Sequence, residues 1–278
     1  MKLAHISDLH FSKLGFEFNT LVSKRLLGTF NLFFRRRRYF SKAQAEQAID
    51  LLAASGVTHV LITGDFTTTG TQKEYAEAAS FIEKLKMRGW PVFVLPGNHD
   101  HYTRRDSKAR IFYQHLQTLS PLREERVAFH DLDSTWRLIL LDTSLATEWH
   151  LSTGLFSEAM ESKLTALLEK SRDKRVIIAN HFPFFQHEAP NRRLSRGEAL
   201  ASLIKKHDNI EFYLHGHTHR PTLADLRKNG WPVVIDSGSL SHVDRGGWNL
   251  IDFSASEWVV SQFLHKQGTW TQSGMIRE

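Results

Sequence analysis

Five short apolar runs in this chain each stop at a cluster of Asp, His, Asn and Gly. Asp8 and His10 follow a run at 2–8, Gly64-Asp65 closes 57–64, and Gly97-Asn98-His99-Asp100 follows 90–96. His181 follows 175–180, and Gly216-His217-Thr218-His219 follows 210–215. Runs of this length read as strands, and stretches of helical period lie between them near 43–55, 72–88, 104–119, 157–171 and 195–207. Further strand candidates fall at 126–131, 136–142, 232–236, 248–253 and 258–264. Strand–helix alternation to about residue 215, followed by strands alone, predicts an α/β fold that adds antiparallel β structure at its C-terminal end. In open α/β sheets ligands bind beyond the carboxyl ends of the strands, so the five clusters are expected to converge on one site.

Composition narrows the chemistry. The chain has 278 residues and no cysteine, so disulfides, iron–sulfur clusters and thiolate zinc sites are excluded. Its 36 Lys and Arg against 30 Asp and Glu leave a net charge of +6, which suits an anionic partner. No stretch of eighteen uncharged apolar residues is present, and no signal-peptide pattern opens the chain, so a cytoplasmic location is expected.

The clusters supply two carboxylates, four imidazoles and one amide: Asp8, His10, Asp65, Asn98, His181, His217 and His219. Each alone has an ordinary explanation, such as a helix cap, a turn or a hydrogen-bonded histidine. Together they form a sulfur-free donor set suited to manganese, iron or zinc, and too rich in histidine for calcium or plain magnesium. One zinc site needs about three or four protein ligands, so seven fit two metals that share a bridge. A carboxylate can bridge, and Asp65 stands at the centre of the sequence order. Two cations about 3.5–4 Å apart, acidifying a water between them, are the usual device for displacement at phosphorus. His99 adjoins a ligand without being needed in either shell, which makes it the candidate general acid.

These five blocks, in this order, resemble the calcineurin-like metallophosphoesterase superfamily. The resemblance implies a four-layer α/β/β/α sandwich over residues 1–278 as a single domain. It implies one metal on Asp8, His10, Asp65 and His219, and a second on Asp65, Asn98, His181 and His217. It also implies that His99 protonates the leaving oxygen or stabilises the transition state while Asp100 orients its ring. Two divalent ions are expected, manganese first.

Specificity is expected in an insertion at about 12–42, after the first strand. Within it Val22, Leu26, Leu27, Phe30, Phe33 and Phe34 share one side of a helix, with Lys24, Arg25, Arg35 and Arg36 on the other. Such a basic amphipathic helix either packs on the protein's own core or caps the site and meets lipid. The Leu-Leu-Gly…Asn-Leu-Phe-Phe-Arg-Arg insertion at 26–36 and His-Asp-His-Tyr at 99–102 resemble the chlamydial-type UDP-2,3-diacylglucosamine pyrophosphatases of lipid A biosynthesis. That resemblance implies release of UMP and 2,3-diacylglucosamine 1-phosphate, and peripheral contact with the cytoplasmic face of the inner membrane. Leu26, Leu27, Phe30, Phe33 and Phe34 would line the acyl path, each buried methylene contributing roughly 0.8 kcal/mol. Arg104 and Arg105 would hold phosphate oxygens, with Lys108 beside them and Arg192, Arg193 and Arg196 as weaker candidates. His101 and His215 flank the site. A cyclic-nucleotide or glycerophosphodiester phosphodiesterase is the alternative, ahead of a nuclease or a non-catalytic binding module; nucleic acid is not the expected partner.

Overall fold

The computed structural model describes residues 1–12, 39–148, 151–185, 187–254 and 257–278. Most of the predicted insertion, including Leu26, Leu27, Phe30, Phe33 and Phe34, lies outside the described residues. In chain order the elements begin with β1 (Lys2–Ile6), α1 (Lys42–Ala54), β2 (His59–Ile62), α2 (Gln72–Lys86) and β3 (Val92–Val94). Three short helices follow, α3 (Arg104–Ala109), α4 (Ile111–His115) and α5 (Ser120–Glu125), then β4 (Val127–Asp131), β5 (Trp136–Leu141) and β6 (Gly154–Leu155). The chain continues through α6 (Glu158–Glu169), β7 (Arg175–Asn180), β8 (Leu194–Ser195), α7 (Gly197–Lys206), β9 (Ile210–His215), β10 (Thr222–Asp225) and β11 (Val233–Asp236). It finishes in a meander of β12 (Gly246–Ser254), β13 (Glu257–Lys266) and β14 (Thr269–Arg277).

Two six-stranded sheets result, in the orders β14-β13-β12-β1-β2-β3 and β10-β11-β9-β7-β5-β4. The strands that precede site residues are parallel within each sheet: β1 with β2 and β2 with β3, and β7 with β9. Their carboxyl ends therefore open on the same edge. Alternation along the strands separates three apolar layers. Ala4, Ile6, Val60 and Ile62 face Ala45, Ala48 and Leu52 of α1 and Tyr75, Ala78 and Ile82 of α2. Leu3, Leu61 and Phe93 point the other way, into a core shared with Leu138, Leu140, Ile177, Ala179, Phe212 and Leu214 of the second sheet. On that sheet's outer face Ile139, Leu141 and Ile178 meet Met160, Leu164 and Leu168 of α6 and Leu200 and Ile204 of α7. This is the expected four-layer α/β/β/α sandwich.

Helix starts follow local chemistry. The Ser41 hydroxyl accepts the Gln44 amide N–H at the head of α1, and Thr71 and Glu74 form a reciprocal capping box at the head of α2. The single helix predicted over 104–119 is instead broken into α3 and α4 at Arg110, whose φ of 50° is left-handed. Four strands escaped the sequence pattern. β6 and β8 are two residues each, while β10 and β14 are edge strands with mostly polar or exposed positions, so no buried alternation marks them. Among the described residues no helix is long and apolar enough to cross a membrane.

Candidate metal centre

The loops beyond β1 and β2 continue side by side after the strands end. The amides of Asp8, His10 and Phe11 donate to the carbonyls of Gly64, Asp65 and Phe66 at 3.0, 2.9 and 2.8 Å. This register sets Asp8 and His10 against Asp65. Five of the seven predicted ligands hold a left-handed backbone, with φ of 53° at Asp8, 45° at His10, 53° at Asp65, 71° at His217 and 55° at His219. Such residues cost of order 1 kcal/mol each and persist where the surroundings impose them, typically at functional sites. Two glycines permit the crowding. A Cβ on Gly97 would lie 2.2 Å from Asp65 Oδ1, and one on Gly216 would lie 2.3 Å from Asp8 Oδ2.

All seven side chains do converge. Asp65 Oδ2 lies 3.8 Å from His10 Nε2 on one side and 3.5 Å from His181 Nε2 on the other, while its Oδ1 accepts the His99 amide N–H at 2.8 Å. On the first side, Asp8 Oδ1 is 2.9 Å from His219 Nε2 and 3.5 Å from His10 Nε2, and Asp8 Oδ2 accepts the His217 amide. The ligand atoms of Asp8, His10, Asp65 and His219 all fall within 4.8 Å of one another. On the second side, Asn98 Oδ1 is 3.2 Å from His181 Nε2 and 3.0 Å from His217 Nδ1.

The outer hydrogen bonds decide what these atoms can hold. His181 Nδ1 is 2.7 Å from the Thr63 carbonyl and His217 Nε2 is 3.0 Å from the Arg192 carbonyl, so each ring donates its proton outward. In the neutral rings, His181 Nε2 and His217 Nδ1 then point lone pairs at Asn98 Oδ1, which is also an acceptor. In that neutral form three acceptors meet without a donor, and buried Asp8 Oδ1, for all its closeness to His219 Nε2, makes no well-aligned hydrogen bond among the described residues. That geometry fits a cation on each side of Asp65, bound by nitrogen and oxygen alone.

The electrostatics agree. Burial would raise the carboxyls of Asp8 and Asp65, but His219 and His10 outweigh it at Asp8 and His181 and His99 outweigh it at Asp65, so both are held well below the usual carboxylate range. Burial lowers His10 and, together with His181, lowers His217, keeping both rings ready to ligate. At His181 burial is opposed by Asp65, and the ring is raised to about 9. Without an ion a proton takes that place, so proton and metal compete for the same lone pair.

His99 is half-buried in the cleft, edge-on to His10 with ring centroids 5.0 Å apart, and its Nδ1 lies 2.7 Å from the Thr68 carbonyl. The predicted part for Asp100 is corrected here. Its carboxylate does not hydrogen-bond the His99 ring; Oδ2 accepts the amides of Gly97 (2.9 Å) and Phe66 (3.2 Å), and Oδ1 accepts the amide and hydroxyl of Thr67, both at 3.0 Å. Asp100 thus ties the loop carrying Asn98 to the loop carrying Asp65. Burial and the nearby Asp65 push it up to about 7.

Above these groups opens a cleft of about 430 Å³ with Asp65, Asn98, His99, His217, Thr218 and His219 on its floor. Tyr39, Phe40 and His242 make one wall; Ser152, Asn191 and Arg192 make the other. Neither Arg104 nor Arg105 lines it: Arg104 is exposed and paired with Glu148, and Arg105 is exposed. Arg193 bonds the Glu188 carbonyl and Arg196 pairs with Glu158 and Glu161, so among the predicted arginines Arg192 reaches the cleft. His101 and His215 are buried rather than presented to a ligand. Phe40 and His242 were missed. A signal for His242 exists, since the strand 232–236 also ends in a polar cluster, Ser237 to His242; its Ser239 hydroxyl donates to the Asp8 carbonyl.

The calcineurin-like phosphoesterase family profile matches residues 1–221, and the chain belongs to that family. A probable glycerophosphodiester phosphodiesterase of Arcobacter nitrofigilis is 30% identical over 190 residues, 66% of this chain and 63% of that one. A probable cyclic nucleotide phosphodiesterase of Coxiella burnetii is 25% identical over 82% of this chain and 79% of its own. A UDP-2,3-diacylglucosamine hydrolase of Coxiella burnetii is 26% identical over 70% and 77%. The match thus spans less than two thirds of the Arcobacter protein. Among solved structures, a dimetal phosphatase of Danio rerio shares the fold at a TM-score of 0.70 and 15% identity, over 99% of this chain and 98% of that one.

Ion removal is expected to destabilise the fold, because it leaves two buried carboxylates and four crowded imidazoles without their common partner. At a hundredfold excess of ion over its Kd the linkage is about 2.7 kcal/mol, or about 5–10 °C of thermal midpoint for a chain of this size. Calorimetry before chelation, after it, and after manganese is restored checks this; an unchanged midpoint would mean that these atoms hold no ion.

Proposed function

We propose that the protein is a two-metal phosphohydrolase that cleaves the pyrophosphate of UDP-2,3-diacylglucosamine to UMP and 2,3-diacylglucosamine 1-phosphate. The observation that carries the reaction type is the position of Asp65 Oδ2 between His10 and His181. Asp8, His10, Asp65 and His219 would hold one ion and Asp65, Asn98, His181 and His217 the other, manganese by preference, with iron or zinc suited to the same donors. When bound, the pair supplies Lewis-acid stabilisation of the phosphoryl oxygens and a water acidified towards neutrality.

The chain's own groups do the rest. As an imidazolium, His99 would donate Nδ1–H to the Thr68 carbonyl, which fixes the ring and stabilises its charge, and Nε2–H is the proton it would give the departing oxygen. Asp100 keeps the two ligand loops in register. The carbonyls of Thr63 and Arg192 hold His181 and His217 in the tautomers that ligate.

The substrate reading draws on both flanks of the segment 13–38. Phe11 pairs with Thr67 beside the metal ligands, and Phe40 pairs with His242 and packs on His10 at 4.6 Å between ring centroids. The basic, Phe- and Leu-rich sequence is therefore flanked by Phe11, next to the candidate ligand His10, and by Phe40, on the cleft wall, and it has the composition to meet an acyl chain and a lipid surface. The Coxiella relative named for this substrate supports the same choice. We infer a peripheral position on the cytoplasmic face of the inner membrane from the same composition. The competing reading is a soluble phosphodiesterase, favoured by the 30% identity to the Arcobacter protein. Comparing kcat/KM on UDP-2,3-diacylglucosamine, glycerophosphodiesters and 3′,5′-cyclic AMP decides between them.

Two outcomes follow from these roles. His99→Ala is expected to cost about 10²–10⁴-fold on a diester with an alkoxide leaving group, and far less on bis(p-nitrophenyl) phosphate, whose leaving group needs no proton. Equal losses on both would remove His99 as the acid. Deleting 20–38 is expected to abolish cleavage of the diacylated nucleotide sugar and to end stimulation by detergent or lipid, while turnover of an aryl phosphate persists. Parallel loss on both substrates would assign the segment a folding role.

A further inference from the structure

The two walls of the cleft differ in chemistry. Tyr39, Phe40 and His242 offer rings, and the His242 Nδ1 already accepts the amides of Asp244 and Arg245. Ser152, Asn191 and Arg192 offer polar groups and, among the described residues, the guanidinium that lines the cleft. Among the described residues, Arg192 is the cation that an anionic substituent beyond the reacting phosphoryl would meet.

Arg192 is built into that wall. It ends the 3₁₀ turn Pro190–Arg192, and the paired strands β6 and β8 hold the turn against 152–154: Ser152 N–H donates to the Asn191 carbonyl at 2.8 Å and Gly154 N–H to the Arg193 carbonyl at 3.3 Å. Its carbonyl accepts from His217 Nε2, while its own Nη2 donates to the His217 carbonyl at 3.2 Å. The guanidinium is therefore anchored on His217, one of the seven candidate ligands, and lines the same cleft. Its Nε faces buried Glu188 Oε2 at 3.8 Å, and Glu188 Oε1 is shared with Arg220 at 3.3 Å, so one carboxylate serves two cations. The bond to His217 uses one of five guanidinium N–H donors; no other hydrogen bond engages the group among the described residues. A forked donor with spare N–H groups, net positive surroundings and a fixed base suits a phosphate.

We propose that Arg192 reads a second phosphate, the one adjoining the phosphoryl under attack, and so makes the site selective for two-phosphate substrates over single esters. Glu188 is its positioning residue. The inference deepens the pyrophosphate reading above and rests on it.

The test uses the metal-loaded full chain with imidodiphosphate and orthophosphate as inhibitors of bis(p-nitrophenyl) phosphate hydrolysis, manganese being kept in excess. Arg192→Ala is expected to raise the Ki of imidodiphosphate at least tenfold and that of orthophosphate less than threefold, with Arg192→Lys between wild type and alanine. Glu188→Gln is expected to raise the Ki of imidodiphosphate by less than Arg192→Ala does, and that of orthophosphate again less than threefold. Equal changes in both Ki values, or none in either, would overturn the proposal. If wild type fails to cleave UDP-2,3-diacylglucosamine while the Ki split holds, the lipid substrate is wrong and Arg192 serves another two-phosphate ligand.

Discussion

A single buried carboxylate organises this site. Asp65 is 2% exposed, commits one oxygen to the His99 amide and points the other between His10 and His181. A buried charge is tolerable only when it is paired, and here each candidate partner comes from a different loop. Four imidazoles, Asp8 and the Asn98 amide oxygen supply the remaining groups, and in the neutral rings their lone pairs face one another. A pair of cations satisfies them.

The fold makes that meeting affordable in strain because the parallel strands finish together. Loops beyond β1 and β2 extend their pairing by main-chain hydrogen bonds, and Asp100 laces the loop after β3 onto the loop after β2 through amides of both. Glycine is required where the loops cross, since a methyl group on Gly97 would collide with the Asp65 carboxylate. The left-handed turns at five ligands are the local expression of the same constraint. Above this floor the described lining is aromatic at Phe40 and cationic at Arg192.

Much of this was legible in the sequence. The seven side chains that meet here stand out because strand ends in a parallel sheet have a common destination, and the layered sandwich is what the family resemblance of the five blocks implies. What escaped has physical reasons. Arg110 interrupts a helical pattern by adopting a left-handed turn that residue type does not announce. β14 exposes most of its side chains, leaving no apolar alternation to read. Asp100 follows His99 in the chain, yet its side chain points to backbone amides, a direction that adjacency does not encode. Arg104 and Arg192 look alike as letters; one extends to Glu148 and the other turns over His217 because β6 and β8 fold the 190s back onto the site. Phe40 entered the cleft from a stretch whose amphipathic pattern drew attention to other residues.

The most direct test of the bridge is a manganese titration of metal-free protein followed by electron paramagnetic resonance. The account predicts two ions per chain at saturation with the spectrum of an exchange-coupled pair, and loss of that coupling in Asp65→Asn. One uncoupled ion per chain at saturation, with P–O bond cleavage at full rate, would contradict it.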